Sequence, residues 1–390
     1  MKGFFAKERG SVLTALLLCV GVGLTSWAAA RSFMSMWELD ALAPAPGFER
    51  HRLSEWEPSL SGSPGDTPVF IQQGREPGGT IFIMGGIHAN EPAGYMAAVV
   101  CLERAQVERG RLIVMPFSNL SALTHNSPQD AAPQRLRFTR DDGTVRSFRC
   151  GSRATNPIHQ WPNPNTYVHF PSGQELDGTS RANQNRAFPG TLNEGLTQRV
   201  GYAITEMLRA ERVDLAFDLH EAAPEYPVVN AMVAHENSME LAAVAAMELE
   251  MMGLPMRLEP SPKNLHGLSH REWGDSIPTL LPILMEAANP GQGRLRGRTD
   301  EALFLTGVDK AYVRAAALGR LFVPYDGSQP IQLRVGRHLA ALQAVLSAME
   351  ELYPDRAAVV SGIPGFEEVV SHDVGHWLNP LPGPIPNRIL

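Results

Sequence analysis

The stretch from Thr80 to Gly94, TIFIMGGIHANEPAG, constrains this chain more than any other. Ile81, Phe82, Ile83 and Met84 form an unbroken apolar run, the pattern of a strand buried on both faces. Gly85 and Gly86 then allow a tight turn. His88 and Glu91 follow, and Pro92 suits the first turn of a helix reading AGYMAAVVCLER. Two potential metal ligands therefore sit where a strand hands over to a helix, at the strand end where open α/β sheets build their sites. His-x-x-Glu alone is a weak signal, and a surface His near a Glu is the plain alternative. The surrounding strand, glycines and helix give it weight.

A second strand at Arg111–Phe117 completes a βαβ unit and predicts a mostly parallel sheet covered by helices. At 390 residues there is room for one large α/β domain or two ordinary ones. A net charge of −7 without long like-charged blocks argues against a nucleic-acid partner. The three cysteines, Cys19, Cys101 and Cys150, contain no Cys-x-x-Cys, which disfavours a thiolate zinc site. Cys101 and Cys150 suit either one disulfide in an oxidising compartment or buried free thiols. No glycine-rich dinucleotide loop follows the first strand, which disfavours an oxidoreductase.

Lys2, Lys7 and Arg9 precede an uncharged apolar run over residues 12–30 that ends in Ala28-Ala29-Ala30. This reads as a signal peptide or an N-terminal membrane anchor, and either predicts an exported body, periplasmic or otherwise extracytoplasmic. Residues 31–65 read as an irregular lead-in, 66–353 as the main domain and 354–390 as a Pro- and Gly-rich tail. Residues 119–180 are long, polar and aperiodic, and are expected to line or cover the site as an insertion. Their histidines, His125, His159 and His169, are expected to be loop residues.

Further along, Asn185-Arg186 leads into Phe188-Pro189-Gly190 on a loop. An amide beside a guanidinium suits a carboxylate, although an ordinary surface loop reads the same way. After a helix at Asn193–Arg212, a strand at Val213–Leu219 delivers His220, with Asp218 two residues before it on the same face. Asp218 suits an orienting partner for that imidazole. The apolar Pro278–Met285 reads as a strand ending at Glu286, a position that suits a general base as well as a solvated edge carboxylate. The pairs His266/His270 and His372/His376 have glycine-interrupted spacing and are set aside. An amphipathic helix is predicted over Val335–Leu352.

Taken together, His88-x-x-Glu91 after Gly-Gly, Asn185-Arg186-x-Phe-Pro-Gly, Asp-Leu-His220 and Glu286 resemble the succinylglutamate desuccinylase/aspartoacylase family, which is similar to the zinc carboxypeptidases. The resemblance spans roughly residues 66–350 through four short motifs. It implies a three-layer α/β fold with a mostly parallel mixed sheet flanked by helices. It also implies one Zn²⁺ per chain on His88, Glu91 and His220, with Glu286 as catalytic base and acid. Asn185 and Arg186 would hold the carboxylate of a small substrate or of a peptide C terminus. Ala89 stands where the family commonly has Gly, and Asn183-Gln184 where Asp-Leu is common. The carbonyl-polarising arginine of the carboxypeptidase relatives has two counterparts here, Arg181 and Arg153. A zinc amidohydrolase for N-acyl amino acids is the leading expectation. An exported carboxypeptidase acting on peptides or peptidoglycan stems, and a non-catalytic zinc-binding protein, are the alternatives.

Overall fold

The computed structural model describes residues 2–126, 133–226, 228–293, 298–321 and 327–383. Residues 127–132 of the expected insertion and 384–390 of the expected tail lie outside the described residues. The described residues divide into two units, 2–39 and 40–383.

The first unit is dominated by the helix α1 (Lys2–Met34). Within this unit, Gly10–Trp37 is long and apolar enough to cross a membrane, with apolar side chains such as Leu17, Leu18 and Val22 exposed.

The second unit is built on thirteen strands among the described residues. They are β1 (Phe48–Arg52), β2 (Pro68–Gln73), β3 (Glu76–Gly85), β4 (Gln106–Met115), β5 (Arg135–Thr139), β6 (Val145–Arg149), β7 (Thr166–Val168), β8 (Glu175–Asp177), β9 (Leu215–Ala222), β10 (Ala231–Ala234), β11 (Arg257–Pro260), β12 (Leu281–Ala288) and β13 (Val359–Ser361). Its main helices are α2 (Pro92–Arg104), α3 (Leu196–Ala210), α4 (Met239–Met251), α5 (Ser269–Ser276), α6 (Glu301–Thr306), α7 (Lys310–Ala317) and α8 (Ile331–Leu352).

The central sheet runs β1-β2-β4-β3-β9-β12-β10-β11, with β13 added beside β4. It is mixed, as expected: β4, β3, β9 and β12 run parallel, and antiparallel pairs lie on either side. Helices cover both faces. Phe82 and Met84 of β3 and Ala216 of β9 join one core cluster with Val200, Ile204 and Met207 of α3 and Trp273 of α5. Alternation turns Ile81 and Ile83 to the other face, where α2 and α8 pack.

The chain winds from β3 to β4 on one side and later crosses to β9 on the other. The order therefore reverses between β3 and β9, and a crevice opens at their carboxyl ends. Gly94 lets α2 lie directly on β9, since a Cβ there would stand 2.2 Å from the Leu219 carbonyl oxygen. Gly86 takes φ +72 immediately after β3, which a β-carbon would resist.

Two boundaries differ from expectation. Part of the lead-in is sheet: β1 pairs antiparallel with β2, and Asp40 is clamped by Arg149 at 2.8 Å inside the second unit. The tail likewise contributes β13, which pairs with β4. Both strands are short, five and three residues, too few to carry a periodic signal, and their order comes from the strands they pair with. Glu286 lies within β12 rather than past its end, because that strand continues to Ala288 beside β9. Cys101 is a buried free thiol, so the expected Cys101–Cys150 disulfide is not formed, and burial pushes the Cys101 pKa up.

Candidate metal centre

His88 and Glu91 follow β3, and His220 lies in β9, so the crevice at the reversal point brings all three together. Their ligand-type atoms lie within 4.8 Å of one another, and all three side chains are buried. Glu91 occupies the N-cap position of α2, yet its side chain caps nothing and turns into the cluster. His88 Nδ1 lies 2.8 Å from Glu91 Oε1, and His220 Nδ1 lies 2.9 Å from Glu91 Oε2. Arg153 and Gln292 donate to Glu91 Oε1 at 2.9 and 2.8 Å, and the Glu221 amide donates to Oε2 at 3.1 Å.

The far nitrogens are also engaged. His88 Nε2 lies 2.9 Å from Asn183 Oδ1, and His220 Nε2 lies 2.9 Å from Asp218 Oδ2. A neutral imidazole has one N–H. Each of these two rings faces an oxygen acceptor at both nitrogens, so as a neutral ring each is one proton short of satisfying its partners. Charging both rings is unfavourable, because their centroids are 4.9 Å apart and both are buried. A cation between the two Nδ1 atoms and Glu91 removes the deficit. Two imidazoles and a carboxylate are also a zinc donor set with room for a further ligand. The residues therefore fit the metal that the sequence resemblance implies.

The charge states follow the same geometry. Burial, aided by Arg153, pulls His88 down to about 4. Against the cost of burial, Asp218 and Glu91 hold His220 well above its ordinary value. Also against burial, the two imidazoles hold Glu91 well below the usual carboxylate range.

Glu286 is the register partner of His220 across β12 and β9. Its Oε2 is buried without a hydrogen-bond partner, and burial pushes its pKa up to about 8. Neighbouring strands thus place a buried, unpartnered carboxyl oxygen beside His220.

Asn185 is buried, and its Oδ1 accepts the Ser269 amide at 3.1 Å. Arg186 donates from Nη1 to the Asn185 carbonyl at 2.5 Å and has no carboxylate partner among the described residues. Burial and nearby Arg153 pull the Arg186 guanidinium down to about 10, so it remains cationic at neutral pH.

The two arginine counterparts separate here. Arg153 touches Glu91, whereas Arg181 pairs with Glu194 at 3.4 Å and with the Pro162 carbonyl. Sequence reasoning did not reach Gln292, which lies in a stretch without periodicity, and registered Asn183 only as a departure from a pattern. No motif marks either, since their roles depend on a single hydrogen bond across the fold.

The other histidines fall elsewhere. His266 and His270 do not share a helix face, because α5 begins at Ser269. His266 instead pairs with Glu272 at 2.8 Å and stacks on His169. His372 and His376 stack on each other near Trp377, and His376 pairs with Asp141.

No protein-family model matches this chain, and no curated protein matches it. Among solved structures, it is similar to a product-bound ectoine utilization protein from Ruegeria pomeroyi, at 18% identity and a TM-score of 0.38, over 58% of this chain and 55% of that one. It is similar to a succinylglutamate desuccinylase/aspartoacylase from Rhodobacter sphaeroides, at 15% identity and a TM-score of 0.40, over 81% and 66%. It is also similar to a metallo-carboxypeptidase from Burkholderia cenocepacia, at 13% identity and a TM-score of 0.39, over 78% and 65%. The chain spans less than two thirds of the length of each of these three. At such distance the chemistry has to be argued from the side chains.

Proposed function

We propose that this chain is a zinc-dependent hydrolase that cleaves an amide bond in a small carboxylate-bearing substrate. One observation carries the reading: a buried His–Glu–His cluster short of protons, with the unpartnered Glu286 carboxyl beside it. His88, Glu91 and His220 would hold the zinc, which when bound polarises a carbonyl and makes water acidic near neutral pH.

The chain's own groups do the rest. Glu286 accepts a proton from the attacking water as its hydroxyl oxygen joins the amide carbon, then gives that proton to the nitrogen as the C–N bond breaks. Arg186 and Asn185 seat the substrate carboxylate. Arg153 adds positive charge at the mouth of the crevice, where its side chain is 43% exposed. The proposal includes export, with α1 as signal or anchor, on the strength of the basic N terminus and uncharged run.

The test uses the full-length chain in detergent. Metal content and hydrolysis are measured against a panel of N-acyl amino acids and short peptides. About one zinc per chain and turnover of either class are expected. The class turned over separates a deacylase from a carboxypeptidase. A chain without metal, or without turnover across the panel when zinc-loaded, overturns the reading.

A further inference from the structure

The two imidazoles of the candidate metal centre are joined a second time, behind the site. His88 Nε2–H donates to Asn183 Oδ1 at 2.9 Å, and the Asn185 amide donates to the same oxygen at 3.0 Å. That amide contact also assigns the orientation of the Asn183 side chain. Asn185 Oδ1 accepts the Ser269 amide at 3.1 Å, and the Ser269 hydroxyl donates to Asp218 Oδ2. Asp218 Oδ2 in turn accepts from His220 Nε2 at 2.9 Å. With Glu91 lying between the two Nδ1 atoms, the contacts close a circuit. It draws on the loop after β3, the Asn183–Arg186 turn, the start of α5 and strand β9.

We propose that Asn183 and Ser269 are positioning residues that hold both imidazoles as Nδ1 ligands and seat Asn185 of the carboxylate clamp in the same circuit. This rests on the zinc reading above. The logic is that of an outer acceptor fixing a ligand's tautomer and ring orientation. The two halves differ in charge. A carboxylate backs His220, while a neutral amide backs His88, so the His88 side is the weaker link.

The test is a zinc competition titration against a chromophoric chelator, using the full-length chain in detergent stripped of metal. Asn183→Leu removes the shared acceptor and is expected to weaken zinc binding by about 10–100-fold. Ser269→Ala removes one hydroxyl, leaves the backbone links intact and is expected to weaken it by about 10-fold. Asn183→Asp keeps the acceptor and adds charge, so zinc binding equal to or tighter than wild type is expected. If Asn183→Leu is unfolded by circular dichroism, Ser269→Ala and Asn183→Asp decide alone. Wild-type zinc affinity in Ser269→Ala, or weakened affinity in Asn183→Asp, overturns the circuit while leaving the zinc reading intact. A wild-type chain that binds no zinc overturns both.

Discussion

Two groups of histidine and glutamate in this fold look alike by distance. His88, Glu91 and His220 form one; His169, His266 and Glu272 form the other, with ligand-type atoms equally close. Hydrogen-bond arithmetic separates them. In the second group, His169 Nε2 donates to the Phe188 carbonyl, and its Nδ1 meets the Ser172 hydroxyl, which can itself donate. His266 donates from Nδ1 to Glu272, and its side chain is 30% exposed to solvent. Neutral imidazoles satisfy every contact there. The group is a staple between the segment around β7 and the approach to α5. In the first group every imidazole nitrogen faces an acceptor, so only added positive charge completes it. Proximity of ligand atoms is thus a poor criterion for a metal site, and proton bookkeeping a better one.

The largest expected effect sharpens that contrast through chemistry. Glu286→Gln should lower turnover by about 10²–10⁴-fold while the zinc content stays at the wild-type level. Elemental analysis beside the hydrolysis assay checks both. Next comes the direct contrast of the two groups. His220→Ala should leave the chain nearly metal-free at micromolar zinc, whereas His266→Ala should retain the wild-type amount. Zinc retained by the first variant, or lost in the second, would break the comparison.

A third effect concerns the opposite face of β9. There Glu221, next to His220 in sequence, accepts the Ala93 amide at 2.8 Å and pairs with the fully buried Arg334 of α8. Arg334→Met should cost about 3–5 kcal/mol, because it leaves a buried carboxylate without its cation. Chemical denaturation measures it, and a loss below 1 kcal/mol would deny the pair its anchoring role.

The smallest effect probes the staple. Burial holds the His169 pKa below its ordinary value. Below pH of about 6.5 the unfolded chain therefore binds more protons at this position than the folded one. Stability should fall as pH drops through that range. His169→Gln should flatten the dependence slightly in denaturation curves taken at several pH values.

Most of the candidate site could be proposed from the sequence because its residues sit at fixed offsets from strand ends. A buried strand followed by glycines announces a turn, and the residues of that turn must lie at the mouth of the sheet. The same holds for His220 and Asp218, whose shared face follows from strand alternation. Gln292 and Ser269 were out of reach, and Arg153 stood only as one of two candidates beside Arg181. Arg153 and Gln292 sit in segments without periodicity and reach the site through one long-range hydrogen bond each, to Glu91, whereas Ser269 opens the short helix α5 and enters through two, with Asn185 and Asp218. The edge strands β1 and β13 escaped for a related reason. A strand of three to five residues is too short to show a pattern of its own and is defined by its neighbour.

Local sequence therefore determined the βαβ core, the places where the chain turns, and which side chains those turns expose. These follow from steric limits on the backbone and from apolar periodicity, both properties of neighbouring residues. Only the tertiary structure decided that strand order reverses between β3 and β9, and so that His88 meets His220. It alone separated Arg153 from Arg181, and a proton-deficient His–Glu–His cluster from a satisfied one. The physical reason is that charge and hydrogen-bond balance belong to groups brought together across the sheet. That balance exists only once distant segments share the same few cubic ångströms.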